Sequence, residues 1–145
     1  ESMIANMGAA KDELNGYWAR QCAYLVAGLM AIAPDAKPLR IGANVGDAFA
    51  AKSPFNSDAG LAAERRLAQL VDADEDQIAV RLRAAIQWLG TDAAPDYSQL
   101  FRDLCDWSRD DRSVQRRWLR SYYKHNSASD EVGADTESSP ETLVA

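Results

Sequence analysis

Apolar residues recur every three or four positions along most of the chain, and no stretch alternates apolar and polar residues for more than five positions. That spacing belongs to helices rather than strands. The first run predicts a long helix from about Asp12 to Ala33, with Trp18, Cys22, Leu25, Val26, Leu29 and Ile32 on one face and Pro34 as its stop. Prolines and glycines break up the next stretch, where a short helix over about Ala43 to Ala51 is expected. The turn-rich Ser53-Pro54-Phe55-Asn56-Ser57 marks the best junction between two helical units. Four helices are expected after it. The first, about Ala59 to Val71, buries Leu61, Leu67 and Leu70. The second starts at Asp74, whose carboxylate can cap it while Gln77 reaches back, ends near Gly90, and turns Ile78, Leu82, Ala85, Ile86 and Leu89 inward. The third opens the same way with Asp96 and Gln99 and buries Tyr97, Leu100, Phe101, Leu104 and Trp107. The fourth runs from about Asp111 to Lys124, behind the acidic pair Asp110 and Asp111 that suits a helix N-terminus.

Composition points the same way, since 26 alanines outnumber the 15 Val, Ile and Thr residues. The expected fold is all-α, two small packed helical bundles with a disordered acidic C-terminal tail. An N-terminal helical unit over residues 1–55, read as incomplete, precedes a C-terminal helical bundle over 56–125. Residues 126–145 hold five acidic side chains, no basic ones and no aromatic residue, a composition that cannot offset its own ordering entropy. The longest apolar run, Cys22 to Ala33, has twelve residues, too few to cross a bilayer of about 30 Å. No membrane association and a cytoplasmic location are expected, with Cys22 and Cys105 as reduced core thiols.

Several kinds of chemistry are missing from the sequence. The single histidine, His125, sits at the edge of the tail and reads as solvated, so histidine triads and multi-histidine metal sites are excluded. Asp72, Asp74 and Asp76 imitate the start of a calcium loop, but Gln77 stands where its glycine belongs and Arg83 where its final glutamate belongs. There is no glycine-rich phosphate loop and no nucleophile elbow. Asp103 and Asp106 read as surface charges or arginine partners. No catalytic residue, metal or cofactor is expected.

The net charge of -6 argues against a nucleic-acid partner until its distribution is examined. The tail accounts for five of those charges, and residues 62–125 hold eleven basic and eleven acidic side chains. On the last helix Val114, Trp118 and Tyr122 share the core face, whereas Arg112, Arg116, Arg117, Arg120 and Lys124 fall within an arc of about 140°, with Tyr123 among them. Guanidinium groups grip phosphate oxygens in pairs and a ring offers a stacking surface, so the stripe suits a polyanion. A solvated face paired to nearby aspartates explains it equally well. Arg65, Arg66, Arg81, Arg83 and Arg102 strengthen the polyanion reading only if they converge with it.

From Glu64 to Lys124 the order of residues resembles the small subunit of type I-E CRISPR Cascade, the CasB family. The resemblance runs through Glu64-Arg65-Arg66-Leu67 and Leu70, Leu82-Arg83, Asp96-Tyr97 and Leu100, Arg102-Asp103-Leu104 and Trp107, Val114 through Arg120, and Tyr122-Tyr123. Ala23 to Leu29 extends it back, so it covers about Trp18 to Lys124; the region before that is shorter than the family's. The resemblance implies a non-catalytic ribonucleoprotein subunit, present in more than one copy, that binds crRNA and target DNA without cutting them and contacts the backbone and large subunits and another copy of itself. It places nucleic-acid contacts at Arg66, Arg83, Arg102, Arg116, Arg117 and Arg120, to which the helical stripe adds Arg112 and Lys124, and it leaves Trp107, Trp118 and Tyr122 to the core. The competing reading is a helical protein-interaction module whose charged face binds an acidic partner or itself.

Overall fold

The computed structural model describes the backbone of residues 2–53 and 58–125 and the side chains of residues 15–53 and 60–125. The expected acidic tail and most of the expected junction lie outside these residues. Regular structure among them is helical: α1 (Ser2–Ile32), α2 (Val45–Lys52), α3 (Asp58–Val71), α4 (Ile78–Leu89), α5 (Tyr97–Cys105) and α6 (residues 113–125). A single bridge between Pro38 and Ala94 ties the α1–α2 connection to the α4–α5 connection. The fold is all-α, as the apolar spacing requires.

Helix α1 lies against α5 and α4, α4 packs on α3, and the short α2 touches both α3 and α4. Trp18 fixes α1 on α5 by donating its Nε1 hydrogen to the Leu104 carbonyl at 2.8 Å. Helix α6 closes the assembly. Its Trp118 is fully buried, with its ring 5.0 Å from that of Trp107, and its backbone crosses α2 so closely at Gly46 that a Cβ there would collide with the Trp118 carbonyl. One hydrophobic core runs through all of this, from Cys22 and Leu29 of α1 through Phe49, Leu67, Leu82 and Leu104 to Trp118 and Tyr122. Side chains on both sides of the 53–57 junction contribute to it.

Local chemistry explains where the helices begin. Asn44 and Asp47 cap each other reciprocally at the head of α2. At α4 the expected box forms: Asp74 Oδ1 accepts from the Asp76 and Gln77 amides at 3.0 Å each, and Gln77 Oε1 accepts from the Asp74 amide at 3.4 Å. It closes a turn ahead of the helix, which starts at Ile78. Asp96 caps α5 through the Ser98 amide, but Gln99 does not reach back. The Asp96 amide is already donated to the Ala43 carbonyl at 2.9 Å, which leaves the Gln99 side chain for another role. Gly90 ends α4 at φ +69°, a conformation that costs glycine little.

Two expected core residues are exposed. Leu61 is 55% accessible because it lies about 80° outside the arc defined by Ala63, Leu67, Leu70 and Val71, and Ala63 takes the inward position. Ile32, in the last turn of α1, is 36% accessible. All five inward residues expected on α4 are buried.

Candidate nucleic-acid interface

Helix α6 has one dry face and one wet one. Val114, Gln115, Trp118 and Tyr122 are buried, whereas Arg116, Arg117, Arg120, Tyr123 and Lys124 are exposed and fall within an arc of about 120°. Arg112 does not belong to this stripe as the sequence suggested. It precedes the helix at φ 51°, so its side chain leaves the helical progression, and its guanidinium donates to the Val71 carbonyl at the end of α3, 2.6 Å away.

The dry face is held by polar anchors as well as by packing. Asp103 of α5, expected as a surface charge or an arginine partner, is 1% exposed and takes the second role, pairing with Arg117. Its Oδ2 accepts from Trp118 Nε1 at 2.9 Å, and its Oδ1 accepts from Arg117 and from Gln99 Nε2, also at 2.9 Å. A buried carboxylate supplied with three donors offsets its desolvation through charge-assisted bonds. Gln99 Oε1 in turn accepts from Arg102 at 3.0 Å, so a chain of hydrogen bonds through Gln99 and Asp103 links Arg102 to Arg117 at the α5 edge of the stripe.

Further along α6, Asn44 donates to Ser121 at 2.8 Å and Tyr122 donates to the Gly60 carbonyl at 3.3 Å. His125, expected to be solvated, instead meets the buried Asp47 carboxylate at 2.9 Å, beside Arg40 at 3.0 Å. Burial works against the charge on Asp47, but the Asn44 amide, His125 and Arg40 together hold its pKa below the usual carboxylate value. The sequence signals for both carboxylates were present: Asp103 shares a helical face with Leu100 and Leu104, and Asn44 and Asp47 spell a capping box.

Tyr123 stands at the α3 edge of the stripe, half-exposed. Its hydroxyl donates to Glu64 at 2.6 Å, an interaction that pushes its pKa up to about 12, and its ring sits edge-on to Tyr122. The ring is thereby fixed beside the cations.

The remaining arginines do not all converge. Glu64 faces α6, so Arg66, about 200° further round α3, lies on the opposite flank, where its guanidinium covers the Trp88 ring at 5.3 Å. Arg81 turns towards α3 and donates to the Gln69 carbonyl. Arg83, about 160° away from Arg81 on α4, points outward from that contact and makes no ion pair among the described residues. The structure therefore gathers Arg102, Arg116, Arg117, Arg120 and Lys124 on one face and sets Arg66 and Arg83 apart from it.

A cleft of about 1060 Å³ opens elsewhere, between α1 and the connections around Glu75 and Asp106. Tyr17, Trp18 and Leu25 line it together with Glu75, Asp76, Asp106 and Asp110, and no residue of α6 takes part. Among the described residues no group of three or more His, Cys, Asp or Glu side chains could hold a metal ion. None of their helices is long and apolar enough to cross a membrane.

Comparison with known proteins adds independent information. Residues 2–123 match the family model described as CRISPR-associated protein Cse2. A CRISPR-associated protein Cse2 from Thermus thermophilus is 32% identical over 118 residues, which make up 81% of this chain and 65% of that protein. The chain thus spans a little under two thirds of the length of that relative. Among solved structures, CasB from Thermus thermophilus shares 34% identity and a TM-score of 0.62, over 74% of this chain and 64% of that one. CasB from M. ruber shares 32% identity and a TM-score of 0.71, over 87% of this chain and 75% of that one.

Proposed function

Because the chain belongs to the Cse2 family of CRISPR-associated proteins, we propose that it is a non-catalytic subunit of a Cascade-type complex, holding crRNA and opened target DNA on the α5–α6 face. The observation that supports this reading is the convergence of five cations from two helices beside a fixed, half-exposed tyrosine ring. The arrangement has the parts needed to follow a sugar-phosphate chain: guanidinium forks, a point charge in Lys124 and one stacking surface. It lacks a pattern for reading base edges, so base pairing with the guide would supply sequence choice and the protein would engage backbone and shape. Nothing in the site needs a catalytic group. Asp103, the carboxylate bonded to Arg117, has both oxygens engaged by buried or anchored donors.

Within this reading the binding residues are Arg102, Arg116, Arg120 and Lys124, with Arg117 anchored by Asp103 at their edge. The other Cascade subunits and a second copy of the chain are the partners that would extend this face into a longer track.

The test is fluorescence anisotropy with labelled single strands of unrelated sequence at fixed salt. R116E combined with R120E should weaken binding at least tenfold for every strand, whereas R83E, on the far flank of α4, should change it less than twofold. Equal losses from both variants would mean that the whole molecule acts as a diffuse charge, and loss confined to one sequence would mean base readout. Either result contradicts the proposal. Capture of an RNA of uniform length with the purified protein would support it.

A further inference from the structure

The two cysteines, more than eighty residues apart in sequence, meet in the fold. Cys22 of α1 is fully buried, and its thiol is in hydrogen-bond contact with that of Cys105 on α5. The two helices are held in register beside the pair, because Trp18, one turn before Cys22, bonds the carbonyl of Leu104, the residue next to Cys105. The thiols differ in access. Cys105 is only partly buried and lines the cleft of about 1060 Å³ between α1 and the 105–110 segment, whereas Cys22 is buried and does not line it. The two sulfurs are not bonded to each other.

We propose that Cys22 and Cys105 form a latent disulfide, closed by a low-molecular-weight disulfide that enters the cleft and reacts first at Cys105. In the first step the Cys105 thiolate attacks one sulfur of the small disulfide, forming a mixed disulfide and expelling one small thiolate, which takes up a proton. Cys22 then loses its proton, its sulfur attacks Cys105 Sγ, and the second small thiol departs. Two protein thiols are oxidised and one small disulfide is reduced to two thiols. Closure would lock α1 onto α5, the helix whose Asp103 anchors α6. This inference does not depend on what the α5–α6 face binds.

The surroundings set the rate. Burial pushes the Cys22 thiol up to about 12 and also raises that of Cys105, with Glu75 acting on the first and Asp106 on the second in the same direction. Little thiolate exists at neutral pH, so the pair stays reduced under brief exposure and closes under sustained oxidation.

The experiment is incubation of the full chain with oxidised glutathione from pH 7 to 9, followed by intact-mass and peptide mass spectrometry. The expected product has lost two hydrogens, carries no glutathione and contains a Cys22–Cys105 crosslink, and its rate of formation rises about tenfold per pH unit because thiolate limits it. C22S should instead accumulate one glutathione at Cys105; if that variant does not fold, C22A serves the same purpose. Three outcomes overturn the proposal: both thiols surviving in the wild type at pH 9, a stable glutathione adduct on the wild type equal to that on C22S, or disulfide-linked dimers as the main product.

Discussion

A buried charge is the feature on which the binding face depends most closely. Asp103 accepts three hydrogen bonds from α5 and α6, and two of the donors, Trp118 and Arg117, are neighbours on the binding helix. Replacing the carboxylate by an apolar group of similar size would leave the Trp118 indole N–H buried without an acceptor and release Arg117 to solvent. Because Arg117 is itself half-exposed, the loss is smaller than for a fully enclosed pair. D103L should therefore destabilise the protein by about 2 to 3 kcal/mol, and D103N, which keeps an acceptor for the indole, by about 1 kcal/mol. Urea unfolding followed by tryptophan fluorescence measures both. If D103L matched the wild type, the carboxylate would be a bystander to the packing of α6.

At the scale of elements, α2 and α6 approach each other closely at Gly46. A methyl group there would collide with the Trp118 carbonyl, which is backbone and cannot swing aside, so helix must move against helix. G46A should cost about 2 to 3 kcal/mol, and a thermal midpoint unchanged from the wild type would show that the two helices are not in contact. Helix identity and most inward faces were legible in the sequence because each is a local property: Ile78 to Leu89 repeats at helical spacing, and Asp74 and Asp96 announce the starts that follow them. The gathering of charges was legible only in part. The spacing of Arg116, Arg120 and Lys124 fixes their common side, since all lie on one helix. Whether Arg66, Arg83 and Arg102 join them depends on how α3, α4 and α5 are rotated in the packed molecule, and the wheel of a single helix contains no such information. Arg112 shows the same limit at a helix end, where a left-handed residue breaks the progression that the sequence appeared to continue. His125 and Asp47 are 78 positions apart, and no local pattern joins them.

For the whole molecule, a net charge of -6 coexists with a face that suits a polyanion. Acidic side chains are exposed around the distant cleft, and Asp47 and Asp103 lie in the interior, so the formal sum describes neither face of the protein. Attraction over a distance is consequently weak, and binding must come from close contacts that release counterions locally. Salt dependence measures that quantity directly. With about four phosphates neutralised on a single strand, the logarithm of the affinity should fall against the logarithm of the salt concentration with a slope near -3, and R116E combined with R120E should bring it to about -1.5. A slope unchanged by that double substitution would contradict the account, because the phosphates would then be neutralised somewhere other than the α5–α6 face.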